Sequence, residues 1–222
     1  MMASIYNIKI NYTRKIGHFS MFIFPGIIYL LFNISNPTEK IVIASVSSVF
    51  FFFSLLGFFR NKLRYLLLSF HAIDRPEDRP YTLLWIFSQT FVGFLILAGY
   101  SLVWNQWHIP QELMYITILT TTLGDGLAEP VGVRFGKHKY AVKGFFIEKT
   151  FYRSYEGSLV VFLTALILSL IFLHNFHGIG TALMVLLFPL AMTLTEAKSP
   201  HTWDTPFLFF VGNLIITCAY LI

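Results

Sequence analysis

The chain is short of charge, shorter still of acid, and all but without cysteine. Asp, Glu, Lys and Arg make up only 12% of its 222 residues, against 56% hydrophobic and 18% aromatic. A soluble domain carries about a quarter charged residues, so this composition argues against a soluble globular protein and for a membrane protein. The single cysteine, Cys218, lies inside an apolar run, which excludes a disulfide framework and a cysteine zinc site. A Walker A loop, GxxxxGK[ST], is missing. Internal repeats, low-complexity tails and interdomain linkers are missing too, so residues 1–222 read as one integral membrane domain, and no nucleic-acid partner is expected. The basic start (Lys9, Arg14, Lys15) resembles a signal peptide, yet "FNISNPTEK" offers no small-residue cleavage site. An uncleaved first helix is expected.

What the sequence does have is long apolar runs. A bilayer-spanning helix needs about 20 residues, and seven stretches qualify, near 16–35, 41–59, 81–104, 111–131, 157–174, 178–195 and 204–222. The expected fold is therefore all-α, a multi-pass membrane helical bundle of about seven transmembrane helices. Cytoplasmic loops are enriched in Lys and Arg. Placed alternately, these spans leave Lys40 alone on one side and the other basic residues together on the opposite side. The N-terminus is thus expected in the cytoplasm. The outer loops ("SNPTEK", "NQWHIPQE", "NFHGIG") are too short to build a site, so chemistry belongs to the cytoplasmic face. The segment "RNKLRYLLLSFHAIDRPEDRP" (60–80) reads either as a short helix in the membrane interface or as an extension of the second span.

Charged groups in or beside membrane helices are costly and often mark function. Four groups stand at the cytoplasmic edge. Arg14, Lys15 and His18 enter the first helix, as an anchor or as part of a site. Asp74, Arg75, Glu77, Asp78 and Arg79 precede the third span and read as a solvated turn with local ion pairs. "GDGLAEPVGVRFGKHK" (124–139) puts Asp125 and Glu129 four residues apart on one helix face, followed by Arg134, Lys137, Lys139, Lys143, Lys149 and Arg153. Two carboxylates beside such cations compose a site for a metal-bound polyphosphate, with oxygens for Mg²⁺ and cations for phosphate. Gly124, Ala128, Gly132 and Gly136 recur every four residues, which suits close helix approach, while glycines including Gly126 also suit backbone contact with phosphate. Ser154 and Ser158 at the start of the next helix serve as caps or, with Gly157, as anion contacts. Lastly, Glu196 and Asp204 flank a short inner loop, and Glu196 calls for either a salt bridge or a role as a second metal ligand or substrate contact.

With these residues in view, "GDGLAEPVGVRFGKHKY" resembles the signature of the phytol kinase, dolichol kinase and related CTP-dependent lipid kinase group. "RKIGH" (Arg14 to His18) resembles that group's early RKxxH, "RPYTLLW" (from Arg79) its RP-containing stretch, and Glu196 with Asp204 its late acids. "RSYEGS" places Arg153 where the group has a lysine in K[ST]xxGS, and the preceding loop is longer than the group's. The related phosphatidate cytidylyltransferases carry late HGG and DRxD elements that are missing here.

The resemblance implies an enzyme that transfers the γ-phosphate of CTP to an isoprenoid alcohol such as phytol or a polyprenol, or to diacylglycerol. Cytidylyl transfer to phosphatidate is the alternative, and a transporter the distant one. Asp125 and Glu129 are the expected catalytic residues. Gly124, Gly126, Gly132, Arg134, Gly136, Lys137, Lys139, Arg153, Gly157 and Ser158 are expected at the nucleotide, and Asp125, Glu129, Glu196 and Asp204 at Mg²⁺. Arg14, Lys15, His18 and Arg79 are expected nearby. The location is the plasma membrane in a bacterium, or otherwise an organelle membrane.

Overall fold

Where water is scarce, an apolar segment can satisfy its backbone only as helix or closed barrel, and all seven predicted spans are helical in the computed structural model, which describes residues 10–34 and 36–222. Lys9 lies outside the described residues. The helices are α1 (Ile10–Leu31), α2 (Pro37–Ser54), α3 (Arg64–Ile73), α4 (Thr82–Gln106), α5 (Met114–Leu119), α6 (Gly126–Phe135), α7 (Tyr155–Ile171), α8 (Gly178–Ala182), α9 (Phe188–Lys198) and α10 (Thr205–Leu221), besides one-turn pieces. A π-helical turn, Thr120–Asp125, joins α5 to α6, and another, Leu183–Leu187, joins α8 to α9. By length and composition, Thr82–Gln106 and Gly178–Lys198 can each cross a membrane, whereas Tyr155–Ile171 and Thr205–Leu221 are apolar but shorter.

The all-α expectation needs correction. The stretch read as a basic loop contains an antiparallel hairpin, β1 (Lys139–Lys143) and β2 (Thr150–Ser154), in the register Tyr140↔Arg153 and Val142↔Phe151. Its signal is the two-residue alternation of "KYAVK" and "TFYRS", which buries Val142 and Phe151 together on one face. The lysines between them disguised it as a solvated loop.

The chain forms two compact units, one ending at Phe91 and the other spanning Val92–Ile222. In the first, Thr13 on α1 donates to the Ala72 carbonyl on α3 at 3.0 Å, and Phe52, Leu55, Ile73 and Ile86 form an apolar cluster. Chain direction breaks between Arg60 and Arg64, so segment 60–80 holds a separate helix rather than an extended second span. The "DRPEDRP" turn has the expected local ion pairs, but of its charged residues only Glu77 and Arg79 are exposed. Asp74, Arg75 and Asp78 are buried; Arg75 binds Asp78 through two bonds (2.8 and 3.1 Å), and Asp74 accepts from Arg79 and Thr82, each at 2.8 Å. Asp74 and Asp78 are thus held by guanidiniums on the protein side, although the Arg79 side chain itself is 55% exposed.

In the second unit α7 packs against α6, α9 and the first π turn. Its interior is partly polar: Thr117, Thr120, Thr121, Ser169 and Asn213 are fully buried, and Trp104 Nε1 donates to Thr217 Oγ1 at 2.7 Å. Outward, α7 shows Leu159, Leu163, Ile167 and Leu170 to its surroundings. Large apolar side chains on the outside over a partly polar interior are not the pattern of a soluble domain.

Small residues set the helix spacing. A Cβ on Gly180 would collide with the Ala219 carbonyl oxygen, and one on Gly157 would lie 2.7 Å from that of Ala128. Backbone cannot yield as a flexible side chain can. Gly180→Ala is therefore expected to force α8 and α10 apart and cost about 1–3 kcal/mol, read as a lowered thermal midpoint of the purified protein; an unchanged midpoint refutes the contact.

Candidate active site

Five of the expected residues meet at the N-terminal end of α7. Arg153, on the inward face of β2, donates through Nη1 to Glu196 Oε1 at 2.9 Å and through Nη2 to Asp204 Oδ2 at 3.1 Å, and Nη1 also reaches the Glu196 carbonyl oxygen. Its side chain is 11% exposed. Burial alone would weaken its charge, but Asp204, Glu196 and Asp125, in that order, outweigh it and hold the guanidinium more firmly protonated than usual. Ser158, one turn into α7, donates to the other Glu196 oxygen, Oε2, at 2.9 Å. The salt-bridge reading of Glu196 is thus borne out.

Asp125 closes the π turn and is 8% exposed, while Glu129 lies in the first turn of α6 and is half-buried. A π turn widens the backbone locally and recurs at functional sites. Here it puts Asp125 within electrostatic range of both Arg153 and Glu196.

The glycines divide. Added Cβ atoms at Gly124, Gly132 and Gly136 would press on the Val161 backbone at 3.3 Å and on Ser154 at 2.7 and 2.8 Å. Gly124 in the π turn, Gly132 in α6 and Gly157 in α7 thus allow close packing along α7, whereas Gly136, just past α6, is crowded most by the Gly132 carbonyl. Gly126 is buried in the first turn of α6. The two serines divide likewise: Ser154 caps α7 by accepting from the Gly157 amide at 3.1 Å, whereas Ser158 serves Glu196 instead.

Arg134, Lys137 and Lys139 are exposed. The Arg134 guanidinium lies over the Phe135 ring at 5.2 Å. Lys139 alternates with Tyr140 along β1 and so projects away from the Arg153 face. Arg14, Lys15, His18 and Arg79 belong to the first unit, where Lys15 is buried, His18 packs edge-on against Phe19 and Phe22, and Arg79 holds Asp74.

Two residues escaped the sequence reading. Tyr140, the cross-strand partner of Arg153, has its hydroxyl 2.6 Å from Ser158 Oγ. Ser158 has one hydrogen and gives it to Glu196, so the phenol is the donor in this pair. Burial, with Glu196 second, pushes the Tyr140 phenol up to about 12, which keeps that donor in place. Glu156 accepts from the Lys137 and His138 amides at 3.1 and 3.2 Å and pairs with His138 Nδ1 at 2.9 Å, fixing the entry to β1. Strand alternation was the available signal for Tyr140. Nothing in the sequence pattern pointed to Glu156.

Among the described residues no three His, Cys, Asp or Glu side chains stand close enough to hold a metal by themselves. Mg²⁺ is usually held by one or two carboxylates plus substrate phosphates, and Asp125 with Glu129 supplies hard oxygen donors of that kind. Glu196 and Asp204 already carry a guanidinium.

The chain is 33% identical over 105 residues to a protein named phytol kinase from Synechocystis sp., a stretch that is 47% of this chain and 42% of that protein. The similarity therefore spans less than half of the relative's length. It bears out the resemblance to the phytol kinase group drawn from the motifs. No family model and no solved structure matches.

Proposed function

We propose that this chain is a membrane-embedded lipid-alcohol kinase that moves the γ-phosphate of a nucleoside triphosphate, CTP by the resemblance, to an isoprenoid alcohol or diacylglycerol. The observation that carries it is the gathering of Asp125, Arg153, Ser158, Glu196 and Asp204 at the N-terminal end of an apolar helix. The similarity to a protein named phytol kinase supports it.

In this reading the helices form a multi-pass integral membrane bundle of seven spans with a cytoplasmic N-terminus, supported by the apolar exterior and partly polar interior of the second unit. The acceptor's hydroxyl oxygen attacks the γ-phosphorus, the bond to the bridging oxygen breaks, and the nucleoside diphosphate leaves with that electron pair. Asp125 takes the hydroxyl proton or ligates Mg²⁺; either task requires a carboxylate. Mg²⁺, held by Asp125 and Glu129, would neutralise charge on the phosphates. Arg153 has five donors, of which Glu196 and Asp204 engage three. The other two are suited to a phosphate oxygen, and the two acids anchor the arginine rather than the metal. Arg134 and Lys137 add cationic steering toward the nucleotide, whereas Lys139 projects from the opposite face of β1.

Purified protein in nanodiscs, given γ-labelled or α-labelled CTP (with ATP in parallel) and a panel of phytol, polyprenol, shorter isoprenol, diacylglycerol and phosphatidate, tests this. Label from the γ-position is expected on an alcohol. Transfer of the α label to phosphatidate would establish cytidylyl transfer instead, and no lipid labelling by either route would remove the kinase reading.

A further inference from the structure

The hairpin has a second face that the site does not use. Tyr140, Val142, Phe151 and Arg153 point inward, so the register turns Lys139, Lys143 and Tyr152 the other way, and all three are exposed. At the tip Phe146 is 91% exposed, and on the outward face Tyr152 is 70% exposed. Large rings so placed are unfavourable in water, yet the hairpin presenting them is rigidly braced. Phe145 stacks on Trp203 at 4.3 Å, Phe151 stacks on His201 at 3.7 Å, and the His201 amide donates to the Lys143 carbonyl at 2.9 Å. A braced hairpin that keeps two rings outward is presenting them.

From this we infer that the outward face of the hairpin is a docking surface for the anionic headgroups of a membrane. Two features decide the partner. β2 runs through its Ser154 cap directly into α7, whose outward side is Leu159, Leu163 and Ile167, so the hairpin sits at the end of a helix with a lipid-compatible flank. Its chemistry also matches: aromatic rings settle at headgroup depth, lysine stems lie along apolar surface with the ammonium in water, and lysines near an anionic leaflet are attracted electrostatically. The inference rests on the membrane reading of the previous subsection.

The test separates the two. In a Cys218→Ser background, single cysteines replace Phe146 or, as a control on the α7 flank, Leu163, and each carries an environment-sensitive fluorophore. Each protein goes into nanodiscs of phosphatidylcholine alone or mixed with phosphatidylglycerol, with spin-labelled lipid as quencher. The Leu163 label is expected to be quenched in both. The Phe146 label is expected to be quenched more in the anionic discs, and Lys139→Gln/Lys143→Gln should lower its docked-to-undocked ratio about 30-fold. A quenched Leu163 label with an unquenched Phe146 label overturns the docking surface alone. Quenching at Phe146 that ignores both lipid charge and the lysines overturns its anionic partner. An unquenched Leu163 label overturns the membrane reading itself.

Discussion

Asp125→Asn is expected to lower lipid phosphorylation by about 10²–10⁴-fold, the range for losing a positioned proton acceptor, while leaving the thermal midpoint close to wild type. The reason lies in the geometry. Asp125 ends the π turn and is nearly buried beside Arg153 and Glu196. Asparagine keeps its shape but can neither accept the acceptor's proton nor offer a charged metal ligand. Turnover with saturating nucleotide, set beside thermal unfolding of the same preparation, reads both quantities. Substantial retained turnover would sink the assignment of Asp125. Loss of activity with an equal loss of stability would mean that the carboxylate is structural.

The second large effect concerns the guanidinium. Arg153→Met leaves Glu196 and Asp204 facing one another in a buried site without their cation, and removing one partner of a buried pair costs about 3–5 kcal/mol. A collapse of the thermal midpoint is expected. Arg153→Lys is the sharper comparison, because the resembling group has lysine at this position. A single ammonium lacks the forked geometry that reaches both acids, so a partial loss of stability is expected, clearly smaller than that of Arg153→Met. If lysine proves neutral, the double engagement of Glu196 and Asp204 is not what holds the hairpin to α9 and α10.

The seven apolar runs and their helical state were legible in the sequence because hydropathy and length are local properties, and helices close their own hydrogen bonds. The four-residue repeat Gly124, Ala128, Gly132 and Gly136 also announced a close helix contact, which the near approach of Val161 and Ser154 explains. The hairpin was hidden because only five residues alternate in each strand, and half of them are polar or basic. The partial burial of the "DRPEDRP" turn is not legible in sequence, since burial of an ion pair depends on what packs over it.

By itself, the sequence determined that the chain is mostly helical and apolar, and which few carboxylates and cations it has to offer. These follow from composition and periodicity, which need no partner in space. Tertiary structure alone decided which acid meets which base. Arg153 and Glu196 are 43 residues apart, and Arg153 and Asp204 are 51 apart. Only the pairing of β1 with β2 and the packing of α7 on α9 bring those charges within hydrogen-bond reach, and only there do Ser158 and Tyr140 acquire a task.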